Sequence, residues 1–221
     1  MAPSRKARSG GPKPDAAKSE ASYHHGDLRT ALIAAARHIL ETEGREALSL
    51  RAAARAAGVS QAAPYHHFAG KDALLAAIAA QGFDELTEAM TKRMANETEP
   101  TARLNASGVG YVAFAVNNPE LFTLMFGGVT QHASGDAALG EAATLREAGG
   151  RAYGVLQSAI MDFQQAKGGA AEDVPLAGLW SWCGVHGLAK LVIEQKLDPQ
   201  RYGVASAEAL AAAMLARVNP S

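Results

Sequence analysis

Alanine recurs throughout this chain of 221 residues, and other apolar residues accompany it at the three- and four-residue spacing of a helix. Alanine is the most favourable residue in a helix, whereas strands favour β-branched and aromatic residues. Aromatic residues make up only 6% of the chain, and no segment of strand length alternates apolar and polar residues. The sequence therefore predicts an all-α fold of about nine helices and argues against an all-β fold.

The composition and the single cysteine narrow the class of protein further. With 48% hydrophobic and 19% charged residues, the chain has the composition of a globular protein rather than of a disordered one. Cys183 is the only cysteine, so neither an internal disulfide nor a four-cysteine zinc site can form, which fits a reducing cytoplasm. We interpret Cys183 as a small buried hydrophobic residue rather than as a redox sensor.

No segment is predicted to cross a membrane or to direct secretion. The longest uncharged stretches, residues 104–119 and 174–189, have 16 residues each, below the roughly 20 that a bilayer requires. The N-terminus has basic residues but no apolar core after them. We expect a cytoplasmic protein and no membrane partner.

Charge is distributed unevenly along the chain. Residues 1–75 hold 11 Lys and Arg against 7 Asp and Glu, whereas residues 76–221 hold 10 against 15. A basic N-terminal part and an acidic C-terminal part indicate that only the N-terminal part binds a polyanion. Residues 1–22 are basic, rich in Ser, Gly and Pro and free of aromatic residues, and we predict that they form a disordered tail.

Helix start and stop signals divide the rest of the chain. Asp27 is a good N-cap residue for the first helix, which Gly44 ends. Ser49 and Ser60 are placed to cap two short helices on either side of Gly58. The predicted helices cover residues 27–43, 50–57, 60–68, 71–95, 101–117, 119–126, 136–167, 175–195 and 205–217.

Residues 49–68 form a pattern of helix, tight turn and helix. Small alanines let the two helices approach closely, Gly58 supplies the left-handed conformation of the turn, and Val59 is an apolar plug between the helices. In a helix-turn-helix the second helix enters the DNA major groove. The side chains placed to protrude from it are Gln61, Ala62, Tyr65 and His66. From the pattern alone, a plain corner between two helices remains an alternative.

A larger set of residues around this segment fits a known pattern. The set comprises Leu28 to Ala36, Gly44, Ser49-Leu50, Gly58-Val59-Ser60, Tyr65-His66-His67-Phe68, Lys71 and Leu74. Through these residues, and above all through the run Tyr-X-His-Phe-X-X-Lys-X-X-Leu, the chain from Tyr23 to Leu75 resembles the DNA-binding domain of the tetracycline-repressor (TetR) family. It departs from that family at Ala63-Pro64, where many members have Thr-Leu or Ala-Leu. The resemblance implies a DNA-binding domain at 23–75 and a helical effector-binding and dimerisation domain at 76–221.

The resemblance also implies roles for single residues. Ser49 would cap the second helix and contact a phosphate, and Lys71 would pair with another phosphate as a point charge. Bases would be read by part of the recognition helix, while its other side chains face the backbone or brace the helix. The base-facing residues would be Gln61, Ala62 and His66, and the bracing residues Tyr65 and His67. The full DNA-binding set is Ser49, Ser60, Gln61, Ala62, Tyr65, His66, His67 and Lys71.

The back half of the chain contains candidates for an effector pocket. Trp182 and His186 are four residues apart and share one helix face. With Gly187 they resemble the Trp-His-Gly motif of one class of regulatory C-terminal domain in this family, and a core role and a pocket-lining role both stay open for them. A cluster of aromatic residues and methionines adds further candidates for an apolar cavity. The candidate set is Phe114, Leu121, Met125, Phe126, Met161, Trp182 and His186.

No metal site, cofactor site or catalytic set is predicted. The pairs His24-His25 and His66-His67 are adjacent in sequence, so the two side chains of each pair point about 100° apart on a helix and do not share a face. The chain has no nucleophile elbow, no phosphate-binding glycine loop and no His-Glu-X-X-His motif.

Together these features predict a ligand-responsive repressor that binds a palindromic operator as a homodimer. We expect dimerisation through helices 175–195 and 205–217, transmission of the signal through the helix that starts at Lys71, and an apolar or aromatic effector. An activator is the alternative within the class, and a helical ligand-carrying or enzymatic protein is the alternative outside it. The basic tail either follows the DNA backbone or makes no contact.

Overall fold

The computed structural model describes residues 16–128, 136–169 and 173–219. Within these ranges the chain forms eight α-helices, two short 3-10 turns and no strand, which confirms the all-α prediction. The 3-10 turns span Ala63–His66 and Pro199–Tyr202. The helices are α1 (Ala16–Glu43), α2 (Leu50–Ala56), α3 (Lys71–Met94), α4 (Pro100–Asn117), α5 (Pro119–Phe126), α6 (Asp136–Ala166), α7 (Val174–Ile193) and α8 (Ala207–Val218).

The start of the first helix differs from the prediction. α1 begins at Ala16 and not near Asp27, so residues 16–22, which we assigned to a disordered tail, are helical. Alanine, lysine and glutamate in this stretch are good helix formers, and an aspartate does not end a helix that has already begun. The remainder of the predicted tail, residues 1–15, lies outside the described residues. The predicted end is confirmed, because Gly44 follows α1 in a left-handed conformation with φ +82°.

α3 is the central helix of the fold. It packs against α1, α4, α5 and α6, and every residue from Ala73 to Ala80 is buried. Leu74, Leu75 and Ile78 are completely shielded from solvent. Because burying one such side chain stabilises a protein by about 1.5–3 kcal/mol, α3 is held firmly on several sides.

Two glycines let neighbouring helices approach α3 closely. A Cβ atom on Gly110 of α4 would lie 3.1 Å from the carbonyl oxygen of Ala89 and 3.1 Å from the Cα of Met90, so α4 and α3 touch through their backbones. A Cβ atom on Gly82 of α3 would lie 2.7 Å from the Sδ of Met125 in α5. A larger residue at Gly110 would force the two helices apart, whereas one at Gly82 would displace the side chain of Met125.

α7 presents an unusual amount of apolar surface. Its 20 residues are long and apolar enough to span a membrane by length and composition, yet only 22% of its most apolar window is buried. Trp180 is 72% exposed and Leu176 73% exposed. The prediction that Cys183 is buried is wrong, because this residue lies on the same uncovered side of α7. Sequence spacing marks the helix as apolar but does not say which of its faces is packed within the chain.

Candidate DNA-binding and effector sites

The turn after α2 has the geometry of a helix-turn-helix. Ser49 is the N-cap of α2, and its hydroxyl oxygen accepts a hydrogen bond from the Ala52 N–H at 3.1 Å. Gly58 has φ +69°, the left-handed conformation that the turn requires, and the Val59 N–H donates to the carbonyl of Ala54 at 3.0 Å. The predicted cap and the predicted turn are therefore both confirmed.

The recognition element is shorter and tighter than predicted. It is a 3-10 turn over Ala63–His66, and no side chain caps it, so the prediction that Ser60 caps a third α-helix is wrong. Pro64 has no N–H to donate to the carbonyl of Ser60, which removes the first hydrogen bond of an α-helix there. The carbonyl of Ser60 instead accepts from the Ala63 N–H at 3.0 Å. The substitution of proline into the family pattern thus changes the recognition element itself.

The predicted base-reading side chains are all exposed beside this turn. Gln61, Ala62 and His66 lie at the surface, and Tyr65 is 55% exposed. His67 is half-buried, and its ring lies 6.5 Å from the ring of Phe68, which fits the bracing role. Their contacts with DNA stay predictions.

Lys71 has a second role besides the predicted phosphate contact. It is the first residue of α3, and its Nζ donates a hydrogen bond to the carbonyl oxygen of Arg45 at 3.0 Å. This bond ties the start of α3 to the loop between α1 and α2. The ammonium has three protons, so two remain for a phosphate.

Three exposed arginines that sequence reasoning did not select lie on α2 or in the loop before it. Arg45 precedes α2, and Arg51 and Arg55 lie on α2, all with exposed side chains. Arg51 and Arg55 are four residues apart and therefore share one helix face. That spacing was visible in the sequence and is the signal that could have identified them as phosphate-binding residues.

A cavity of about 300 Å³ lies in the helical body between α3, α4, α6, α7 and α8. Phe83, Leu86 and Met90 of α3 form one wall, and aromatic residues from the other helices form much of the rest. No Lys, Arg, Asp or Glu among the described residues lines it. A buried concave space of this kind, apolar with a few polar groups, is typical of a small-molecule site.

The predicted pocket residues divide into three groups. Phe126 and Trp182 line the cavity, and the ring of His186 lies 4.6 Å from that of Phe126. A second group is buried in the helix packing away from the cavity, and one residue is 44% exposed on α6. The buried group is Phe114, Leu121 and Met125, and the exposed residue is Met161.

A hydrogen-bonded chain of three side chains joins α4 to α7 at the cavity. The Trp182 Nε1–H donates to the Tyr111 hydroxyl oxygen at 3.3 Å, and the Tyr111 hydroxyl lies 2.8 Å from the Nδ1 of His186. Because the indole can only donate, the Tyr111 hydroxyl oxygen accepts from Trp182, and the hydroxyl proton is available for Nδ1 of His186. Burial, and then the charge of Lys190, lower the pKa of His186, and burial raises the pKa of Tyr111.

Two family profiles match this chain. The one described as "Bacterial regulatory proteins, tetR family" matches residues 32–78, which hold the turn and the recognition element. The one described as "Tetracyclin repressor-like, C-terminal domain" matches residues 104–218, more than half of the chain. The chain belongs to the TetR family. Members of this family are DNA-binding transcriptional regulators and not enzymes, so the enzymatic alternative is set aside.

Solved structures agree with the TetR assignment. A protein of unknown function from Rhodococcus sp. RHA1 is 34% identical with a TM-score of 0.72, over 90% of this chain and 98% of the other. The TetR family regulator PfmR from Thermus thermophilus is 25% identical with a TM-score of 0.59, over 85% and 96%. AibR, solved with isovaleryl coenzyme A and operator DNA, shares the fold at 20% identity and a TM-score of 0.59, over 87% and 98%. No protein with a curated description matches the sequence.

Proposed function

We propose that this TetR-family regulator is a ligand-responsive repressor that binds a palindromic operator as a homodimer. The observation that carries the proposal is the path of α3. This helix begins at Lys71, five residues after the recognition turn ends at His66, and its residues Phe83, Leu86 and Met90 line the cavity. A ligand in the cavity therefore contacts the same rigid element that positions the recognition turn.

The DNA-binding surface combines base-reading and phosphate-binding groups. Gln61, Ala62 and His66 are available for base edges, and Arg51 and Arg55 supply the positive charge for phosphates. The domain is also fixed to the body of the molecule. Arg37 of α1 donates hydrogen bonds to Glu85 of α3 and, at 3.4 Å, to Asn118 between α4 and α5.

The dimer interface is proposed on α7 and α8. Both helices have exposed apolar residues around a shared groove, among them Trp180 at 72%, Val218 at 58% and Met214 at 39% exposure. The groove also contains Cys183. Such a continuous apolar patch marks an interaction surface, and regulators of this family dimerise. A second copy of the same face would cover it, as a two-fold interface requires.

The two recognition turns of the dimer would act together on DNA. Two such elements must lie about 34–36 Å apart to enter successive major grooves of one operator. An effector that fits best when α3 is displaced would favour a different separation and weaken DNA binding. The effector can change the equilibrium between the two conformations by no more than the difference in its affinity for them.

The effector is proposed to be a small apolar or aromatic molecule, because the walls of the cavity are apolar and aromatic. Regulators of this family are soluble cytoplasmic proteins, and we place this one at the nucleoid when it is bound to its operator.

Selection of bound DNA from a random pool tests the core of the proposal. We expect an inverted repeat with half-site centres about one helical turn, roughly 10 base pairs, or a multiple of it apart. Enrichment of a single unrepeated half-site, or no enrichment, would contradict the homodimer on a palindrome.

Transcription in vitro then separates a repressor from an activator. A promoter that carries the selected site is transcribed with and without the protein. We expect less transcript when the protein is present, and a template with a scrambled site serves as the control. More transcript from the intact site alone would identify an activator.

A further inference from the structure

The walls of the cavity restrict the charge of its ligand. All the described residues that line it are uncharged, and most are apolar. A carboxylate, phosphate or ammonium group placed there would lose its hydration without gaining an ion partner, which is strongly unfavourable. The part of a ligand that lies against these walls is therefore uncharged.

Most polar groups at the cavity already have hydrogen-bond partners. The Ser107 hydroxyl donates to the carbonyl of Leu104 at 2.7 Å, and the Asn219 amide donates to the Oδ1 of Asn105 at 2.9 Å. Tyr111 and Trp182 belong to the chain that ends at His186. These groups form hydrogen bonds within the chain, so they line the cavity without needing a ligand as a hydrogen-bond partner.

Two hydroxyls at the cavity differ from these groups. Tyr153 of α6 and Ser181 of α7 line it, and neither side chain forms a hydrogen bond within the part of the chain that the structure describes. A Cβ atom on Gly178 would lie 3.0 Å from the Tyr153 hydroxyl oxygen, so this hydroxyl rests on α7 at Gly178. Ser181 is three residues further along, on the same side of α7. The two free hydroxyls thus lie along the same side of α7.

We propose that the effector is an uncharged, compact and largely apolar molecule with one hydrogen-bond-accepting group, such as a carbonyl, which the hydroxyls of Tyr153 and Ser181 bind. This inference rests on the proposed function of the cavity as the effector site. The apolar part of the ligand lies against Phe83 and Leu86 of α3. A volume of about 300 Å³ is at the lower end of the range for ligand pockets, which fits a molecule of one or two rings.

Three probes of similar shape test the proposal: 2-acetylnaphthalene, 2-ethylnaphthalene and 2-naphthoate. Binding to the full chain is measured at pH 7.5 by the change in tryptophan fluorescence, since Trp182 lines the cavity. We expect the ketone to bind about five- to tenfold more tightly than the hydrocarbon, the effect of one hydrogen bond. We expect the carboxylate to bind at least about a hundredfold more weakly than the ketone.

Variants identify the hydroxyls that donate to the ligand. Tyr153→Phe and Ser181→Ala should each reduce the preference for the ketone over the hydrocarbon, and the double variant should abolish it. Ser158→Ala, an exposed serine on α6, is the matched control and should keep the preference. Circular dichroism of each variant checks that the fold is intact, and the order of the three probes on the unmodified protein tests the proposal without any variant.

The outcomes separate this inference from the function on which it rests. Binding of the carboxylate as tightly as the ketone, failure of the ketone to bind up to its solubility, or an unchanged preference in the folded double variant would overturn the inference. Selective binding of the ketone without any release of operator DNA would contradict the proposed function but leave the ligand chemistry standing.

Discussion

Arg29 of α1 connects the helical body to the recognition turn. Its guanidinium donates a hydrogen bond to Glu141 of α6 at 2.7 Å and lies 5.2 Å above the ring of Phe68. Phe68 follows the recognition turn directly and is buried. One side chain therefore contacts both an element of the body and the residue that anchors the DNA-reading segment.

Replacing Arg29 should weaken operator binding as well as the fold. Arg29→Leu removes a partly exposed ion pair, worth about 1 kcal/mol or less, together with a cation–π contact of about 0.5–1 kcal/mol. Because the second contact steadies Phe68, we expect operator affinity to fall about two- to fivefold in a gel-shift titration. Arg151→Leu is the matched control, since it breaks an ion pair with Asp84 that does not touch the recognition turn. Equal losses of affinity in both variants would contradict the role of Arg29.

Gly58 should tolerate a side chain poorly although space is available there. A Cβ atom at Gly58 would meet nothing within 4 Å, so the cost of Gly58→Ala comes from its φ of +69°. We expect the free energy of unfolding to fall by about 1–2 kcal/mol in urea denaturation. Gly150→Ala is the control, because Gly150 is exposed in α6 with similar open space, and it should raise stability by up to about 1 kcal/mol. A neutral Gly58→Ala would disprove the requirement for a left-handed residue.

Lys71 should contribute to DNA affinity independently of sequence. If Lys71 contacts a phosphate, Lys71→Ala weakens binding to all sequences alike. It also reduces the magnitude of the slope of log K against log salt concentration by about one for each phosphate contact that is lost. Lys71→Arg should retain the slope, because the charge is kept. Lys196→Ala, whose ammonium pairs with Glu194 after α7, is the control and should leave the slope unchanged. An altered base preference with the original slope would count against the phosphate contact.

Cys183 offers a built-in reporter for the proposed dimer. Its thiol is exposed in the single chain and lies in the groove between α7 and α8. If two copies cover this groove, its reaction with a thiol reagent slows as the protein concentration rises through the dimerisation range. Trp180→Glu should restore fast labelling and yield a monomer in sedimentation, whereas Tyr202→Glu, at a 63% exposed aromatic residue outside the groove, should not. Fast labelling of a proven dimer would place the interface elsewhere.

The lowered pKa of His186 should make stability depend on pH. Burial, and then Lys190, hold the pKa of this residue below its ordinary value in the folded chain, so the unfolded chain binds more protons as the pH falls through about 6.5. The free energy of unfolding should therefore decrease as the pH drops from about 7 and level off below the folded pKa. The difference between the native protein and His186→Asn, measured by urea denaturation across this range, isolates the effect. A difference that does not change with pH would disprove it.

The positions of most helices could be predicted from the sequence because their ends carry strong local signals. Pro100, Pro119 and Gly127 mark boundaries that the structure places within a residue of the prediction. Two N-terminal elements differ between the prediction and the structure, namely the start of α1 and the recognition element, and both differences have local causes. Nothing in residues 16–22 prevents a helix, and Pro64 removes a hydrogen bond that the predicted third helix required.

The cavity could be predicted only in part, because periodicity identifies apolar residues but not the spaces between them. Phe126 and Trp182 were selected and line the cavity, whereas Leu121 and Met125 fill the contact between α5 and α3. Tyr153 was not selected, although it lines the cavity. Which apolar side chain meets a neighbour and which meets empty space depends on how helices distant in sequence cross.

The backbone contact at Gly110 sets the mechanics of α3. If a rigid α3 pivots at its backbone contact with α4 near Met90, its N-terminal part tilts about that point. At 1.5 Å per residue, Phe83 lies about 10 Å and Lys71 about 28 Å from this contact, so such a tilt moves Lys71 about three times as far sideways as Phe83. A bulky residue at Gly110 would separate α4 from α3 and shift the point about which α3 tilts. The ratio of the two displacements would then change, although Gly110 contacts neither the ligand nor the operator.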